Sequence, residues 1–152
     1  MAGNAQTQAR LMPDPPALDP GDDDVRLSLP ARPENVAVIR HVLAAFAEAL
    51  GLPDGLVEDV RLAVTEACTN VVRHAYDERA GTIDISIRPD GPLLRVVVAD
   101  TGRGIGPSPD TTGPGLGLPL IAALTESVEI QHAQGTGSRV AMTFARRGPE
   151  AA

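Results

Sequence analysis

The folded part of this chain has to build its core almost without aromatic side chains. The 152 residues include two phenylalanines, one tyrosine and no tryptophan, although 43% of the residues are hydrophobic. The core must therefore consist of Leu, Val, Ile and Ala side chains, which suit helices stacked on a sheet. A chain of this length fits one domain, which can bury a stable core without disulfide bonds or structural metal ions.

The charge and the cysteine count limit the possible functions. Twenty acidic against thirteen basic residues give a net charge of −7, which argues against nucleic-acid binding, because that affinity rests on neutralising phosphates. The single cysteine, Cys68, rules out an intramolecular disulfide and argues against a thiolate metal site. No segment approaches the roughly 18 consecutive apolar residues of a membrane span, and because the first residues lack a basic region followed by an apolar core, we expect no secretory signal. We therefore expect a cytoplasmic protein that binds neither nucleic acid nor membrane.

The two ends of the chain differ from its middle. Residues 1–24 are predicted to form a disordered tail, because they combine four prolines with the run Asp22-Asp23-Asp24 and few apolar side chains. Residues 147–152 are predicted to be a frayed C-terminus. The folded domain is predicted to span 25–146.

Hydrophobic periodicity predicts the secondary structure of that domain. Helix 33–50 begins at Pro33 and is stopped by Gly51, and the second helix is capped by Asp54. The predicted strands are 25–29, 82–88, 93–99, 128–132 and 138–144, and the predicted helices are 33–50, 54–76 and 115–125. Because helices and strands do not strictly alternate, we predict an α+β two-layer sandwich, with a mixed, mostly antiparallel sheet and its helices on one face.

The second predicted helix carries an unusual polar arc. Val60, Val64, Cys68, Val71 and Ala75 share one face, and the arc beside it contains Asp59, Glu66, Asn70, Arg73 and His74. A solvated face is the alternative interpretation. However, asparagine is a weak helix former, so an asparagine in mid-helix needs a reason. An amide oxygen is a hard ligand for a metal cation, and a carboxylate beside it can take a proton from a hydroxyl group.

Two glycine-rich loops follow the central strands. Asp100 comes directly after a buried strand, where its carboxylate can accept a hydrogen bond from an exocyclic amine, and Gly102 and Gly104 let a flat ring approach the backbone. The second loop, 113–118, opens a helix, and glycines there expose backbone donors to a phosphate. A turn followed by flexible surface residues would explain either loop taken alone.

Two common nucleotide-binding motifs are missing from the sequence. The chain has no lysine, so the phosphate-binding pattern G-x-x-x-x-G-K-[ST] is absent. The glycine spacing in 102–106 does not match the dinucleotide fingerprint either.

Taken in order, these segments resemble the GHKL ATPase superfamily, whose ATP-binding domain is called the Bergerat fold. Glu66-Ala-Cys-Thr-Asn70 resembles the N box of that superfamily, 100–104 resembles its first glycine box and 113–117 its second. Gly135-Thr136 matches a late Gly-Thr that assists the adenine-binding aspartate. The resemblance covers about residues 25–145.

Within the superfamily, residues 65–76 and the entry to the first helix at 32–34 are most similar to the anti-sigma-factor serine kinases of the RsbW and SpoIIAB type. The resemblance implies ATP and Mg²⁺ as cofactors, a phospho-accepting serine on an anti-anti-sigma partner of the STAS type, a sigma factor as second partner, and a homodimer. It also implies roles for particular residues: Glu66 as general base, Asn70 as magnesium ligand, Asp100 at the adenine amine supported by Thr136, Gly102 and Gly104 around the nucleotide, Gly115, Leu116 and Gly117 along the phosphates, and His74 near a phosphate or the partner serine.

One departure from the family pattern keeps alternatives open. An arginine that precedes the second glycine box of the sporulation kinase aligns here with Gly113. A module that binds ATP and a partner without transferring phosphate is therefore the first alternative. A detached catalytic domain of a histidine kinase is the second, and it is disfavoured because no phospho-acceptor helix pair precedes the domain.

Overall fold

The computed structural model describes residues 25–76, 80–102, 117–133 and 136–146. The predicted tail, 1–24, and the predicted frayed end, 147–152, lie outside these ranges. So do residues 103–116, which include part of the first predicted glycine-rich loop and most of the second, and residues 134–135.

The described strands form one five-stranded sheet. Its order is β1-β2-β3-β5-β4, and every pairing is antiparallel. The sheet that we expected to be mixed is thus antiparallel throughout the described strands. The strands are β1 (Val25–Pro30), β2 (Thr82–Asp90), β3 (Leu93–Asp100), β4 (Ser127–Ala133) and β5 (Gly137–Ala145).

Three helices accompany the sheet: α1 (Pro33–Ala49), α2 (Asp54–Asn70) and α3 (Gly117–Leu124). Pro33 occupies the first turn of α1, as its fixed φ predicts. The expectation that Asp54 caps the second helix is wrong. Pro53 is the N-cap and makes no side-chain hydrogen bond. Asp54 is the first helical residue, where its negative charge interacts favourably with the positive end of the helix dipole.

The second helix changes its hydrogen-bonding pattern immediately after Asn70. Residues Val71–Ala75 form a π-helical turn that continues α2 towards Tyr76. The periodicity of the sequence predicts one helix to about Tyr76, which is right for the extent of the helix but does not reveal the wider turn. Single π turns inside helices are frequent at functional sites, and this one begins beside the asparagine already singled out.

The core lies between the helices and one face of the sheet. Alternate side chains of the central strands point into it, in agreement with the period of two, and the helices contribute their apolar stripes. The largest fully buried side chains are Ile39, Val64, Cys68, Ile83, Ile87, Leu94, Val96, Val98, Ile121, Met142 and Phe144. Phe144 is the one aromatic residue in this set, so aliphatic packing dominates, as the composition predicts.

Two further properties concern the buried thiol and the length and hydrophobicity of the helices. Burial raises the pKa of the Cys68 thiol to about 12, because desolvation disfavours the thiolate. The described helices include none that is long and apolar enough to cross a membrane.

The largest buried side chain offers a test of the core. Replacing Phe144 (1% exposed) with alanine leaves a cavity, and we expect the free energy of unfolding to fall by about 3–5 kcal/mol. Val38→Ala is the matched control, since Val38 is 44% exposed on α1 and should change stability by no more than about 0.5 kcal/mol. Urea denaturation measures both. Equal losses for the two variants would contradict the described core.

Candidate functional site

The polar edge of α2 meets the beginning of α3. Glu66 and Asn70 are half-buried, one turn apart on α2. Gly117, the first residue of α3, passes so close that an added Cβ would lie 3.1 Å from Nδ2 of Asn70 and 3.4 Å from Oε2 of Glu66. The carboxylate, the amide and a helix N-terminus are thereby brought together, as the sequence predicts.

The apolar stripe of α2 fixes the orientation of the edge that carries Glu66 and Asn70. Val60, Val64, Cys68, Val71 and Ala75 are all buried, which confirms the predicted stripe. Ala63 and Ala67, which flank the polar edge, are also buried, at 0% and 2% exposure. The edge therefore borders the buried face of α2 on one side and approaches Gly117, which rules out a fully solvated face.

Asp100 forms a second polar cluster at the end of β3. Its side chain is 5% exposed, and its Oδ1 accepts a hydrogen bond from the backbone N–H of Gly102 at 2.9 Å. Its Oδ2 accepts a short hydrogen bond from the hydroxyl of Ser138 on β5. These bonds compensate the cost of burying a charge. A carboxylate has about four acceptor positions, so acceptor capacity remains for a further donor such as an amine.

Two glycines allow the backbone to close around Asp100. A Cβ at Gly102 would overlap the carbonyl oxygen of Ala75, at the end of the π-helical turn. A Cβ at Gly137 would overlap the carbonyl oxygen of Asp100, and Gly137 has a φ of 105°, which side-chain-bearing residues rarely adopt. The loop after β3 therefore lies directly on the turn that continues from Asn70, which connects the two clusters.

Tyr76 holds the same loop from a third direction. Its hydroxyl donates to the carbonyl oxygen of Thr82 at 2.7 Å and accepts from the backbone N–H of Thr101 at 2.9 Å. The end of the π-helical turn, the start of β2 and the residue after Asp100 are thus joined through one phenol group.

The remaining predicted residues divide into two groups. His74 is exposed on the π-helical turn, and Thr136 is exposed beside Gly137. Gly104, Gly115 and Leu116 lie outside the described residues, and the structure therefore does not place them.

Ser138 and Tyr76 are absent from the sequence-based prediction of the site. The signal for Ser138 is its pairing opposite Asp100 across β3 and β5, which requires knowledge of the strand order. The signal for Tyr76 is its position directly after the polar helix, as the single tyrosine of the chain.

The donor set around Glu66 and Asn70 fits a magnesium ion delivered with a nucleotide. Within the described ranges no three His, Cys, Asp or Glu side chains form a metal-binding group. Magnesium bound to a nucleotide needs only one or two protein ligands, because phosphate oxygens and water complete its octahedral shell. A single amide oxygen next to a helix N-terminus satisfies that requirement.

Comparison with known proteins identifies the family. The sequence profile of the histidine kinase-like ATPase domain matches residues 29–144. The chain is 36% identical over 129 residues to a serine-protein kinase RsbW of Bacillus cereus, covering 74% of this chain and 80% of that protein. The RsbW of Bacillus thuringiensis subsp. konkukian gives the same values.

A solved structure agrees with the fold. The crystal structure of the RsbU and RsbW domains of Rv1364c from Mycobacterium tuberculosis superposes with a TM-score of 0.68 at 22% identity, over 83% of this chain and 33% of that one. This chain thus spans about a third of the length of that protein. The predicted α+β Bergerat architecture and the resemblance to GHKL proteins are both confirmed. The chain belongs to the histidine kinase-like ATPase domain family and, within it, to the RsbW-type serine-protein kinases.

Proposed function

We propose that this chain binds Mg-ATP between α2, α3 and the end of β3, and transfers the terminal phosphate to a serine on a STAS-type anti-anti-sigma protein. The observation that carries the proposal is the approach of Gly117 to both Glu66 and Asn70. It brings an amide, a carboxylate and a helix N-terminus within a few ångströms of one another, which supports a site for a metal-bound phosphate.

Each part of this cluster has a separate task. Asn70 holds the magnesium ion through its amide oxygen, and the ion, when bound, neutralises charge on the phosphates. Glu66 accepts the proton of the serine hydroxyl while the serine oxygen bonds to the terminal phosphorus, the bond to ADP breaks and ADP leaves. The hydroxyl must come within hydrogen-bonding reach of the carboxylate. The backbone N–H groups at the start of α3 stabilise the phosphate oxygens. This last contribution matters in a chain without lysine.

The Asp100 cluster binds the other end of the nucleotide. The carboxylate, already held by Gly102 and Ser138, accepts a hydrogen bond from the exocyclic amine of adenine. Gly102 and Gly104 leave room for the adenine ring, and Thr136 supports the aspartate. Gly115, Leu116 and Gly117 line the phosphates. His74 lies near a phosphate or the partner serine.

Two partner proteins complete the proposed function. The same chain sequesters a sigma factor in the cytoplasm as a homodimer, and the bound nucleotide selects between the sigma factor and the STAS partner. The names of the relatives support the kinase activity.

Labelled ATP tests the transfer step. The chain is incubated with ATP carrying a labelled terminal phosphate and its cognate STAS protein, and we expect label on a serine of the partner. Tight nucleotide binding with an unlabelled partner would favour the non-catalytic module, and label on a histidine would favour a detached histidine-kinase domain.

Two substitutions on α2 separate metal binding from proton transfer. Asn70→Ala should abolish Mg-ATP binding measured by calorimetry, because the ion loses its side-chain ligand. Glu66→Gln should retain binding and lose phosphate transfer. Asp59→Asn is the control, since Asp59 lies on the same polar arc two turns before Glu66 and should leave both measurements unchanged. Undiminished transfer by Glu66→Gln would refute the assignment of the base.

The adenine contact is tested with a nucleotide that lacks the amine. Wild-type protein should prefer ATP to inosine triphosphate, which carries a carbonyl oxygen at that position. Asp100→Asn should weaken ATP binding by about 10- to 100-fold, since a hydrogen bond to a charged group contributes about 1.5–3 kcal/mol. Ser138→Ala should reduce the preference for ATP over inosine triphosphate less than Asp100→Asn does. Ser86→Ala, on the opposite face of the sheet, should not change that preference. Equal affinity of the wild type for both nucleotides would show that Asp100 does not read the amine.

A further inference from the structure

The ring of Tyr76 is held in place by the backbone beside it. A Cβ added to Gly81 would overlap the ring, so the ring lies directly against the glycine backbone. The carbonyl oxygen of Gly81 accepts a hydrogen bond from the backbone N–H of Ala31 at 2.8 Å, which ties this contact to the connection between β1 and α1. The π-helical turn that ends at Ala75 brings the tyrosine to this point. The position of the ring is therefore fixed from two sides.

The hydroxyl of Tyr76 uses both of its hydrogen-bonding functions on the backbone. A phenol has one proton to donate, and the carbonyl oxygen of Thr82 accepts it at 2.7 Å. The phenol oxygen accepts a hydrogen bond from the backbone N–H of Thr101 at 2.9 Å, and the Thr101 hydroxyl lies 3.4 Å from the same oxygen. Because the start of β2 holds the phenol proton, a lone pair of the phenol oxygen faces the residue that follows Asp100.

The two residues that follow Asp100 are thus held by the last residue of the π-helical turn and by Tyr76. Tyr76 binds the N–H of Thr101, and Gly102 lies so close to the carbonyl oxygen of Ala75 that a Cβ would overlap it. Gly102 also donates its N–H to Oδ1 of Asp100 at 2.9 Å. In such a turn the aspartate side chain is bonded to the backbone two residues further on. A displacement of Thr101 would therefore change the direction of the carboxylate.

We propose that Tyr76 is a positioning residue for base recognition, and that its hydroxyl sets the direction of the Asp100 carboxylate through the N–H of Thr101 and the turn at Gly102. The inference rests on the proposed binding of adenine at Asp100. Both functions of the phenol are engaged with the backbone, so the tyrosine acts through the aspartate and not through a bond of its own to the base.

The direction of the carboxylate matters because Asp100 is nearly enclosed. The residue is 5% exposed, and its two oxygens already accept hydrogen bonds from Gly102 and Ser138. The remaining acceptor positions point in fixed directions, and a hydrogen bond weakens steeply as its angle becomes unfavourable. The exocyclic amine of adenine is a donor and depends on that angle. The carbonyl oxygen of inosine triphosphate cannot donate to the carboxylate, so binding of that nucleotide depends much less on its direction.

Tyr76→Phe tests the inference, because phenylalanine keeps the ring against Gly81 and removes only the hydroxyl. We expect the affinity for Mg-ATP, measured by calorimetry, to fall about 3- to 10-fold, the effect of one ordinary hydrogen bond, and the affinity for inosine triphosphate to stay the same. A general loss of folding stability would lower both affinities alike. In phosphate transfer the KM for ATP should rise at unchanged kcat, because the bonds of the phenol lead to the Asp100 loop and not to Glu66 or Asn70.

A second variant moves the ring and retains the hydroxyl. Gly81→Ala places a Cβ where the ring lies, so the phenol has to shift, and the preference for ATP over inosine triphosphate should fall as in Tyr76→Phe. Thr125→Val is the matched control. The Thr125 hydroxyl donates to the carbonyl oxygen of Ile121 at 2.9 Å, a comparable side-chain bond at the end of α3, and its loss should leave the preference unchanged.

The double variant Tyr76→Phe with Asp100→Asn shows whether the tyrosine acts through the aspartate. If it does, removal of the hydroxyl has no further effect on the preference once the carboxylate is gone, whereas independent sites give additive effects. Additive losses would overturn the inference, and so would a Tyr76→Phe variant that keeps the full wild-type preference for ATP. Wild-type protein that binds both nucleotides equally would refute the adenine site itself, and this inference with it.

Discussion

The packing of α2 against the sheet is the interaction on which the site depends. The buried stripe of α2 contacts β3 and β5, while its flanks contact α1 and α3. The orientation that buries Val64 and Cys68 is also the orientation that turns Glu66 and Asn70 towards Gly117. The orientation of α2 about its own axis therefore determines both the core packing and the geometry of the site. A slip of a single residue would expose part of the stripe and remove the carboxylate and the amide from the start of α3.

Much of this arrangement can be predicted from the sequence, because the relevant signals are local. The helical period fixes the buried and polar arcs of α2, and the strand period of two fixes the core-facing isoleucines of β2. Pro33 marks the start of α1. The interpretation of Asp54 as a cap failed because its position fits either a cap or a first helical residue, and Pro53, already extended, takes the first role. The π-helical turn also escaped prediction, since apolar side chains at similar spacing are compatible with either helix type.

The contacts that complete the Asp100 cluster are non-local and could not be predicted in the same way. Ser138 meets Asp100 only because β3 pairs with β5, across an insertion that contains α3 and β4. The role of Tyr76 requires the start of β2 and the residue after Asp100 to lie side by side. The periodicity of the sequence does not indicate such long-range contacts. The order of motifs along the chain, supplied by the family resemblance, predicted which segments form the site but did not reveal these supporting contacts.

The bond between Ser138 and Asp100 has a consequence for how the protein responds to its ligand. The two residues are 38 positions apart, and they meet only after the long-range pairing of β3 with β5 has formed. A partly folded chain with an intact α2 would therefore lack the complete Asp100 cluster. A nucleotide that binds only the closed sheet raises the stability of the whole domain in proportion to the logarithm of its concentration. For a nucleotide bound at the Asp100 cluster, as proposed above, nucleotide supply and persistence of the folded state are therefore thermodynamically linked.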